Sequence, residues 1–461
     1  MTGRLTSPRS RVLPPSVRGR ATDGPGAGGP VVRLIPGRER LIARVQYSRM
    51  AMGVVEAAVL ALAVLFYAVT IYHVTLIFIG LRLTADRGKP FDKGSLRNPV
   101  DLPKVSILIP AKDEEVVIEG AILCANRLDY PKDLLEIIVV EDGSKDETPT
   151  IGKRMASLVP NVVCVSGGVS KGKPAALNRA FANATGDLIA IFDSDTRYGP
   201  DLLLRAVKHL HDHPEIDVAQ AFPQVMNAET NVITRINYYE TRFWFQGLQS
   251  AKDRYGLFMH LAGTGMFIRR RALQALGPWD ESCLTEDLDY SLRLARSGGK
   301  VGMVDADIWI QPTYRARHLV RQRQRWWGGA LQVFWKGLRG RRSGATRLRQ
   351  RIDTFIYIAS PILFLISSIL FLSSIVLYGL YGGAMASLMA WIYGIIGTNL
   401  ILTPLIVGEA VTTRRKKLLW LIPGLYFYWF LQLASFVSIA FRLVLWPKGV
   451  AWQRTPKMRV D

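Results

Sequence analysis

Cysteine is almost missing from this chain: Cys124, Cys164 and Cys283 stand alone among 461 residues. An odd, scattered set provides neither a disulfide framework nor a thiolate metal site. The six histidines do not pair at metal-ligand spacing, and zinc and serine-hydrolase motifs are absent. Lys171-Gly172-Lys173-Pro174 is not a Walker sequence, because the following Ser or Thr and the long glycine loop are missing. Acidic residues are the minority charge, with 37 Asp and Glu against 59 Lys and Arg and a net charge of +22. Such a surplus suits nucleic acid, anionic lipid or juxtamembrane loops. The basic residues crowd positions 4–49, 336–351 and 413–417, each beside an apolar run. No nucleic-acid motif accompanies them. Membrane lipid is therefore an expected partner, and nucleic acid is not.

What the chain has is long apolar runs. Residues 50–81 include only Glu56 and His73 as groups able to carry charge, and the run exceeds the roughly 20 residues that cross a bilayer. Three more runs follow, at 352–380, 384–407 and 418–445. Residues 1–48 are rich in Arg, Pro and Gly and read as a disordered basic tail, too long and too arginine-rich for a typical cleaved signal peptide. The Arg414–Lys417 cluster looks cytoplasmic. The count of crossings does not close on charge alone. Either the first run is a hairpin, or one of the runs lies along the interface.

Between the apolar runs, strand and helix alternate. Strands are expected at 105–110, 135–140, 161–166 and 188–192, with helices at 113–126, 147–158 and 174–184. Alternation at this spacing predicts an α/β domain with a mostly parallel sheet. Polar residues just past the carboxyl ends of such strands are where ligands bind, and Asp142 and Asp193 both occupy that position.

Several clusters there carry chemistry. Asp193-Ser194-Asp195 brings two carboxylates after a buried strand, a pair able to hold one hard cation, Mg2+ or Mn2+, on a diphosphate. Asp142-Gly143 ends an earlier strand, either to bind a base or ribose or to cap the next helix. Lys173, at the start of a helix with Pro174, faces phosphate or belongs to an ordinary basic turn. Asp287, in Thr285-Glu286-Asp287, is the candidate general base, with Asp280 and Asp289 as alternatives; the same residues also read as a helix start capped by Thr285. Gly263-Thr264-Gly265 reads as a backbone wall beside an acceptor. In Gln322-Arg323-Gln324-Arg325-Trp326, Arg325 offers a planar fork to diphosphate oxygens and Trp326 a flat face to a sugar ring. An amphipathic interfacial helix accounts for the same stretch, and 238–248 is a candidate second one.

Taken in order, these clusters resemble the membrane-embedded inverting glycosyltransferases of family 2, which include cellulose, chitin and hyaluronan synthases. The family's DDG element corresponds to Glu141-Asp142-Gly143, its DxD to Asp193 and Asp195, its TED to Thr285-Glu286-Asp287, and its Q(Q/R)xRW signature to Gln322–Trp326. The resemblance implies a GT-A fold, a UDP-hexose donor held by Asp142, Lys173, Asp193 and Asp195, and Mg2+ or Mn2+ on Asp193 and Asp195. It implies catalysis by Asp287 and Arg325, with inversion of an α-linked donor to a β-linked product. The acceptor would lie against Gly263, Thr264, Gly265, Glu286, Gln322 and Trp326. Trp452, Thr455 and Lys457 resemble a carboxyl-terminal element on the cytosolic side. Ala262-Gly263-Thr264 stands where cellulose synthases have Cys-Gly-Ser, so cellulose itself is not implied.

The expected organisation is a basic tail at 1–48, a transmembrane helix at 49–83 and a GT-A catalytic domain at 100–320. An interfacial helix and basic linker follow at 321–351, then about three transmembrane or interfacial segments at 352–446 and a cytosolic tail at 447–461. The fold class is thus α/β, a GT-A nucleotide-sugar-binding domain embedded between transmembrane and interfacial helices. The expected location is the cell (inner) membrane, multi-pass, with the catalytic domain cytosolic and with room for a homo-oligomer or an accessory subunit. The first functional expectation is extension of a β-linked polysaccharide coupled to its translocation. The alternative is a non-processive glycolipid synthase that adds one β-linked hexose to diacylglycerol or another lipid. An inactive scaffold is disfavoured by the intact Asp193, Asp195, Asp287 and Arg325.

Overall fold

A computed structural model of the chain describes residues 61, 64–85, 87, 102–339, 347–381 and 402–445. The tails expected at 1–48 and 447–461, with Trp452, Thr455 and Lys457, lie outside them, as does most of the run at 384–407.

The sheet begins as the sequence predicts. Strands β1 (Val105–Ala111), β2 (Leu135–Glu141), β3 (Val162–Ser166) and β4 (Leu188–Ile191) are parallel, in the order β3-β2-β1-β4. Their runs are apolar at consecutive positions because both faces are covered. Ile107, Ile109, Ile137 and Val139 pack beneath α2 (Ile118–Asn126) and α5 (Leu202–Asp212). Leu108, Ile138 and Val140 pack on the other face against Ala176, Leu177 and Ala180 of α4 (Lys173–Asn183). The second half of the sheet is mixed. β5 (Arg197–Tyr198), β6 (Val218–Val225), β7 (Met266–Arg269) and β8 (Val301–Ile310) complete the order β4-β7-β6-β8-β5. β7 runs antiparallel to both β4 and β6.

One helix starts later than its pattern suggests. The segment expected to be helical from Asp113 becomes α2 only at Ile118, because Asp113 has φ +53°. The acids before it stitch two loops together instead of serving a helix dipole. Lys145 N–H donates to Asp113 (2.7 Å), Glu147 N–H to Glu115 (3.0 Å), and Glu115 N–H to Asp146 (3.2 Å). α3 (Thr148–Leu158) follows that junction.

The remaining helices cover the carboxyl ends of the strands. α6 (Val232–Arg242) continues through a π-helical stretch, Phe243–Gln249, into α7 (Ser250–Tyr255). α8 (Arg270–Leu276) and α9 (Glu286–Ser297) flank the sheet, and α10 (Ala316–Arg339) crosses above it. Among the described residues two helices are long and apolar enough to cross a membrane: α1 (Val64–Leu83, mean hydropathy 2.1) and Lys416–Leu443 (mean hydropathy 1.4). The latter contains most of α13 (Leu421–Leu445). α11 (Leu348–Tyr381) and the shorter α12 (Leu402–Thr412) lie between. Two such helices are fewer than the four apolar runs expected to cross or lie along a membrane, and the described residues do not support multi-span embedding.

α1 docks on the catalytic domain at a glycine pair. A Cβ on Gly80 would lie 1.7 Å from the Gly247 carbonyl oxygen, so the two backbones touch only because neither residue has a side chain. Beside this crossing sits a buried ion pair. Lys252 Nζ lies 2.9 Å from Asp353 Oδ1, with the two side chains 0% and 1% exposed. Tyr72 O–H (2.9 Å) and Phe258 N–H (2.8 Å) also donate to Asp353. One carboxylate thus ties α1, α7 and α11 to the domain. Asp353→Ala leaves the Lys252 ammonium buried and unpaired, and should destabilise the fold by about 3–5 kcal/mol. The double variant Lys252→Met/Asp353→Leu should recover much of that loss. Thermal melting of the purified proteins checks both, and an unchanged transition for Asp353→Ala would refute the pairing.

Candidate active site

The site is built at the carboxyl ends of β1, β2 and β4. β2 ends at Glu141, Asp142 and Gly143 follow it, and Gly143 has φ +69°. The Asp142 carboxylate, 2% exposed, is engaged by the loop that leads into α4. Ser170 O–H (2.7 Å), Gly172 N–H (2.8 Å) and Lys171 N–H (3.2 Å) donate to it, and Arg179 forms an ion pair with it. Asp142 lines the cavity described below, but in this structure its oxygens hold the loop in place. Arg179 and Ser170 were not legible as site residues from motif spacing.

That loop delivers Lys173. Gly172, at φ +93°, turns the chain so that α4 starts at Lys173 with Pro174 next. Lys173 Nζ lies 2.7 Å from Asp193 Oδ1 and 3.2 Å from Glu286 Oε1, and donates to the Gly263 carbonyl at 2.9 Å. Burial alone pulls this ammonium toward deprotonation, but Asp193 and Glu286 overcome it and hold the pKa well above that of an ordinary lysine. The sequence reading placed Lys173 toward phosphate; its neighbours also make it the bridge between the two acidic motifs.

Asp193 and Asp195 follow β4. The Thr264 hydroxyl oxygen accepts from the Asp193 N–H at 3.0 Å, and the hydroxyl shares a 2.8 Å hydrogen bond with that of Thr196. Thr264, expected on the acceptor wall, lines the cavity and also uses its hydroxyl to brace the turn that carries the two carboxylates. Gly265 packs away from that wall. It has φ +64°, and a Cβ there would lie 2.3 Å from Ile308 Cδ1 of β8, so it fits against the sheet. Gly263 does face the site. A Cβ on it would lie 2.8 Å from Asp287 Oδ2 and 3.3 Å from Lys173 Nζ.

Glu286 and Asp287 open α9, with Thr285 at the N-cap position. The Thr285 hydroxyl makes no capping hydrogen bond, so the helix-start reading is right about position and wrong about the cap. Burial pushes both carboxyls upward. Lys173 opposes this for each, the neighbouring Asp287 charge adds to the rise at Glu286, and the Arg325 charge offsets part of it at both. A carboxylate raised in this way is a better base for a hydroxyl proton. The two alternative bases are occupied elsewhere: Lys336 Nζ sits 2.6 Å from Asp280 and 2.8 Å from Asp289. Cys283 beside them is buried, its thiol pushed up to about 11 by burial, and is inert.

α10 brings the Gln-Arg-Gln-Arg-Trp signature over the acids. Gln322, Arg325 and Trp326 line the cavity, and Trp326 keeps 41% of its surface exposed. Arg323, the variable position of the signature, is buried and structural. It donates to Glu240 (2.5 Å), Tyr428 (2.6 Å) and Asn237 (3.0 Å), and its guanidinium lies 4.1 Å from the Trp326 ring centre. Arg323 thus fixes the tryptophan from behind and joins α10 to α6 and α13. The register of α10 is set by Gly328 and Gly329. Cβ atoms there would lie 2.9 Å from Leu284 and 2.2 Å from Thr285 Oγ1. Two consecutive glycines inside an otherwise helical, aromatic stretch were the available sequence signal for this contact.

Together these elements enclose a cavity of about 460 Å³, within the range of small-molecule sites. Asp142, Lys173, Asp193, Asp195, Glu286 and Asp287 line its polar side. Trp244, Phe245, Trp327, Tyr357, Ile358 and Pro361, from the π-helical stretch, α10 and α11, also line it. Among the described residues no three ligating side chains form a closed metal cage. Asp193 and Asp195 nonetheless fit a hard divalent cation, since both offer carboxylate oxygens and such ions commonly complete their coordination with substrate phosphates and water.

A family model described as Glycosyl transferase family group 2 matches residues 188–447. The chain is a family 2 glycosyltransferase. A β-monoglucosyldiacylglycerol synthase of Synechocystis sp. is 32% identical to this transferase over 265 residues, 55% of the chain and 53% of that protein. A second such synthase, of Trichormus variabilis, is 32% identical over 50% of each. The chain thus spans about half the length of these synthases. A probable glycosyltransferase of Bacillus subtilis is 28% identical over 78% of this chain and 88% of its own length. Among solved structures, a mannosyltransferase from Pyrobaculum calidifontis in complex with GDP-Man and Mn2+ superposes with a TM-score of 0.58. At 20% identity it covers 85% of this chain and 99% of its own, and it supports the GT-A-like α/β fold. Two of these relatives are glycolipid synthases, which favours the glycolipid alternative over the polysaccharide expectation.

Gly329→Ala would push Thr285 and the neighbouring acids away from α10. Overpacking of this kind costs about 1–3 kcal/mol locally, and small misplacements cost on the order of 10- to 100-fold in rate. The expected result is a matching fall in turnover with donor binding retained, measured by steady-state transfer and by nucleotide titration. Full activity would show that the Gly329–Thr285 contact does not set the site.

Proposed function

We propose that this transferase moves a hexosyl group from a nucleotide sugar, with UDP as the expected nucleotide, onto the hydroxyl of a membrane lipid such as diacylglycerol. The observation that carries the reading is the cavity itself, where the buried acids share one space with apolar walls from α10 and α11. The activity of the diacylglycerol glucosyl synthases that share about half their length with the chain supports the lipid acceptor. The two long apolar helices support association with a membrane, on whose cytosolic face nucleotide-sugar donors would be met.

The chemistry follows from the side chains. Asp287 accepts the proton of the acceptor hydroxyl as its oxygen attacks the anomeric carbon. The bond from that carbon to the donor phosphate breaks on the opposite face. One displacement inverts the configuration, so an α-linked donor gives a β-linked product. Arg325 and Lys173 receive the negative charge that gathers on the departing diphosphate. Asp193 and Asp195 would hold Mg2+ or Mn2+, which neutralises diphosphate charge when bound. Gln322 and Trp326 orient the sugar and acceptor groups beside Glu286.

Asp287→Asn should lower transfer by at least about 100-fold, in the range of a lost general base, while nucleotide binding by calorimetry stays near that of the parent. Normal turnover would exclude Asp287 from the role. Chelation with EDTA should abolish transfer, and added Mn2+ or Mg2+ should restore it; activity that survives chelation would remove the metal from the scheme. Incubation of the protein in lipid vesicles with labelled UDP-hexose should leave the label in the lipid phase as a single-sugar product. High-mass, glycosidase-sensitive material would instead favour chain extension.

A further inference from the structure

We propose that His260 recognises the acceptor by hydrogen-bonding an ester carbonyl of the glycerolipid whose free hydroxyl meets Asp287. The inference rests on the lipid-acceptor reading above and names the group that selects the lipid class.

His260 lies between α7 and β7, three residues before Gly263, and lines the cavity. The same stretch is braced on both sides. Phe258 N–H donates to Asp353, and Leu261 N–H donates to Ser291 Oγ of α9 at 3.0 Å. The backbone that carries His260 is thereby fixed at the cavity wall. Its ring packs against Tyr357, 5.8 Å between centres, and it feels the charge of Glu286. It thus touches the apolar wall and sits near the acids.

Among the described residues the ring nitrogens of His260 make no hydrogen bond, although burial and the nearby Lys252 ammonium hold the group neutral, with a pKa lowered to about 4. A neutral imidazole carries one N–H donor and one acceptor nitrogen. The ring is only partly buried and lines the cavity, so these groups are open to a ligand that enters it. The acceptor hydroxyl is taken by Asp287. In a diacylglycerol the polar groups next along the molecule are the ester carbonyls, only a few bonds away, and they accept from an N–H. Beyond them the molecule is hydrocarbon, matching Tyr357, Ile358 and Pro361 on the wall.

The test compares dioleoylglycerol with its ether-linked analogue, which keeps the hydroxyl and the chains but lacks both carbonyls. Full-length protein in mixed micelles is assayed with UDP-hexose. The parent should favour the ester lipid in kcat/KM by about three- to tenfold, the scale of one neutral hydrogen bond. His260→Phe should bring that ratio close to one, and His260→Gln, which keeps an N–H donor, should retain most of it. The KM for the nucleotide sugar should be unchanged in both. Equal use of ester and ether lipids by the parent overturns the proposal, and that result stands even if His260→Phe fails to fold. An unchanged preference in folded His260→Phe overturns it as well. No lipid product at all from the parent would instead overturn the lipid-acceptor reading, so the two failures are distinguishable.

Discussion

The site depends on one ammonium group. Lys173 stands between Asp193 after β4, Glu286 at the start of α9, and the carbonyl of Gly263. Without it, carboxylates from two separate motifs would face one another in a medium where like charges repel strongly and one of them would take up a proton. Lys173 in turn is placed from further back. Asp142 grips the preceding loop through Ser170, Lys171 and Gly172, and the φ of +93° at Gly172 aims the start of α4. Charge balance at the acids is thus set by a residue at the end of a different strand.

The other half of the site depends on close helix packing. Gly328 and Gly329 let α10 rest on Leu284 and Thr285. Gln332 accepts from the Leu284 N–H at 3.0 Å, and Lys336 ties the far end to Asp280 and Asp289. α10 therefore cannot shift without moving the acids beneath it. Its outer side is joined to α13 through Gln324 and Ser438 (2.6 Å) and through Trp327 and Gln432 (3.1 Å). The long apolar helix α13 and the acids at the start of α9 are thus both joined to α10.

Much of this was legible in the residues. The four parallel strands announce themselves because both of their faces are buried, so 135–140 reads as apolar apart from Glu136 and matches β2 within a residue. The positions of Asp193 and Asp287 follow from the strand and helix they terminate or begin. What could not be read was any contact set by three-dimensional neighbours. Nothing local shows that Thr264, a residue of the cavity wall, also braces the Asp193 N–H, 71 positions away in sequence and 3.0 Å away in space. Gly265 looked like part of the same wall, but its missing side chain makes room for Ile308. The acids at 113–115 fit a helix start equally well until the β2–α3 loop is seen to claim them. The choice between polymer and lipid escaped the motifs because the same displacement chemistry serves both.

The cavity bears on that choice through desolvation. A growing polysaccharide carries hydroxyls along its whole length, and each needs a hydrogen-bond partner or loses free energy when it leaves water. A wall of Ile358, Pro361, Tyr357 and Phe245 provides few partners. A lipid acceptor inverts the requirement: one hydroxyl must reach Asp287, a short polar segment follows, and the rest gains by leaving water at about 25 cal/mol per Å². Hydrophobic binding energy then delivers a single nucleophile to a buried base, while the bulk of the acceptor excludes water that would otherwise compete for the anomeric carbon. With a lipid acceptor the apolar wall would belong to the catalytic apparatus, because the contacts that bind the acceptor would also protect the donor from hydrolysis.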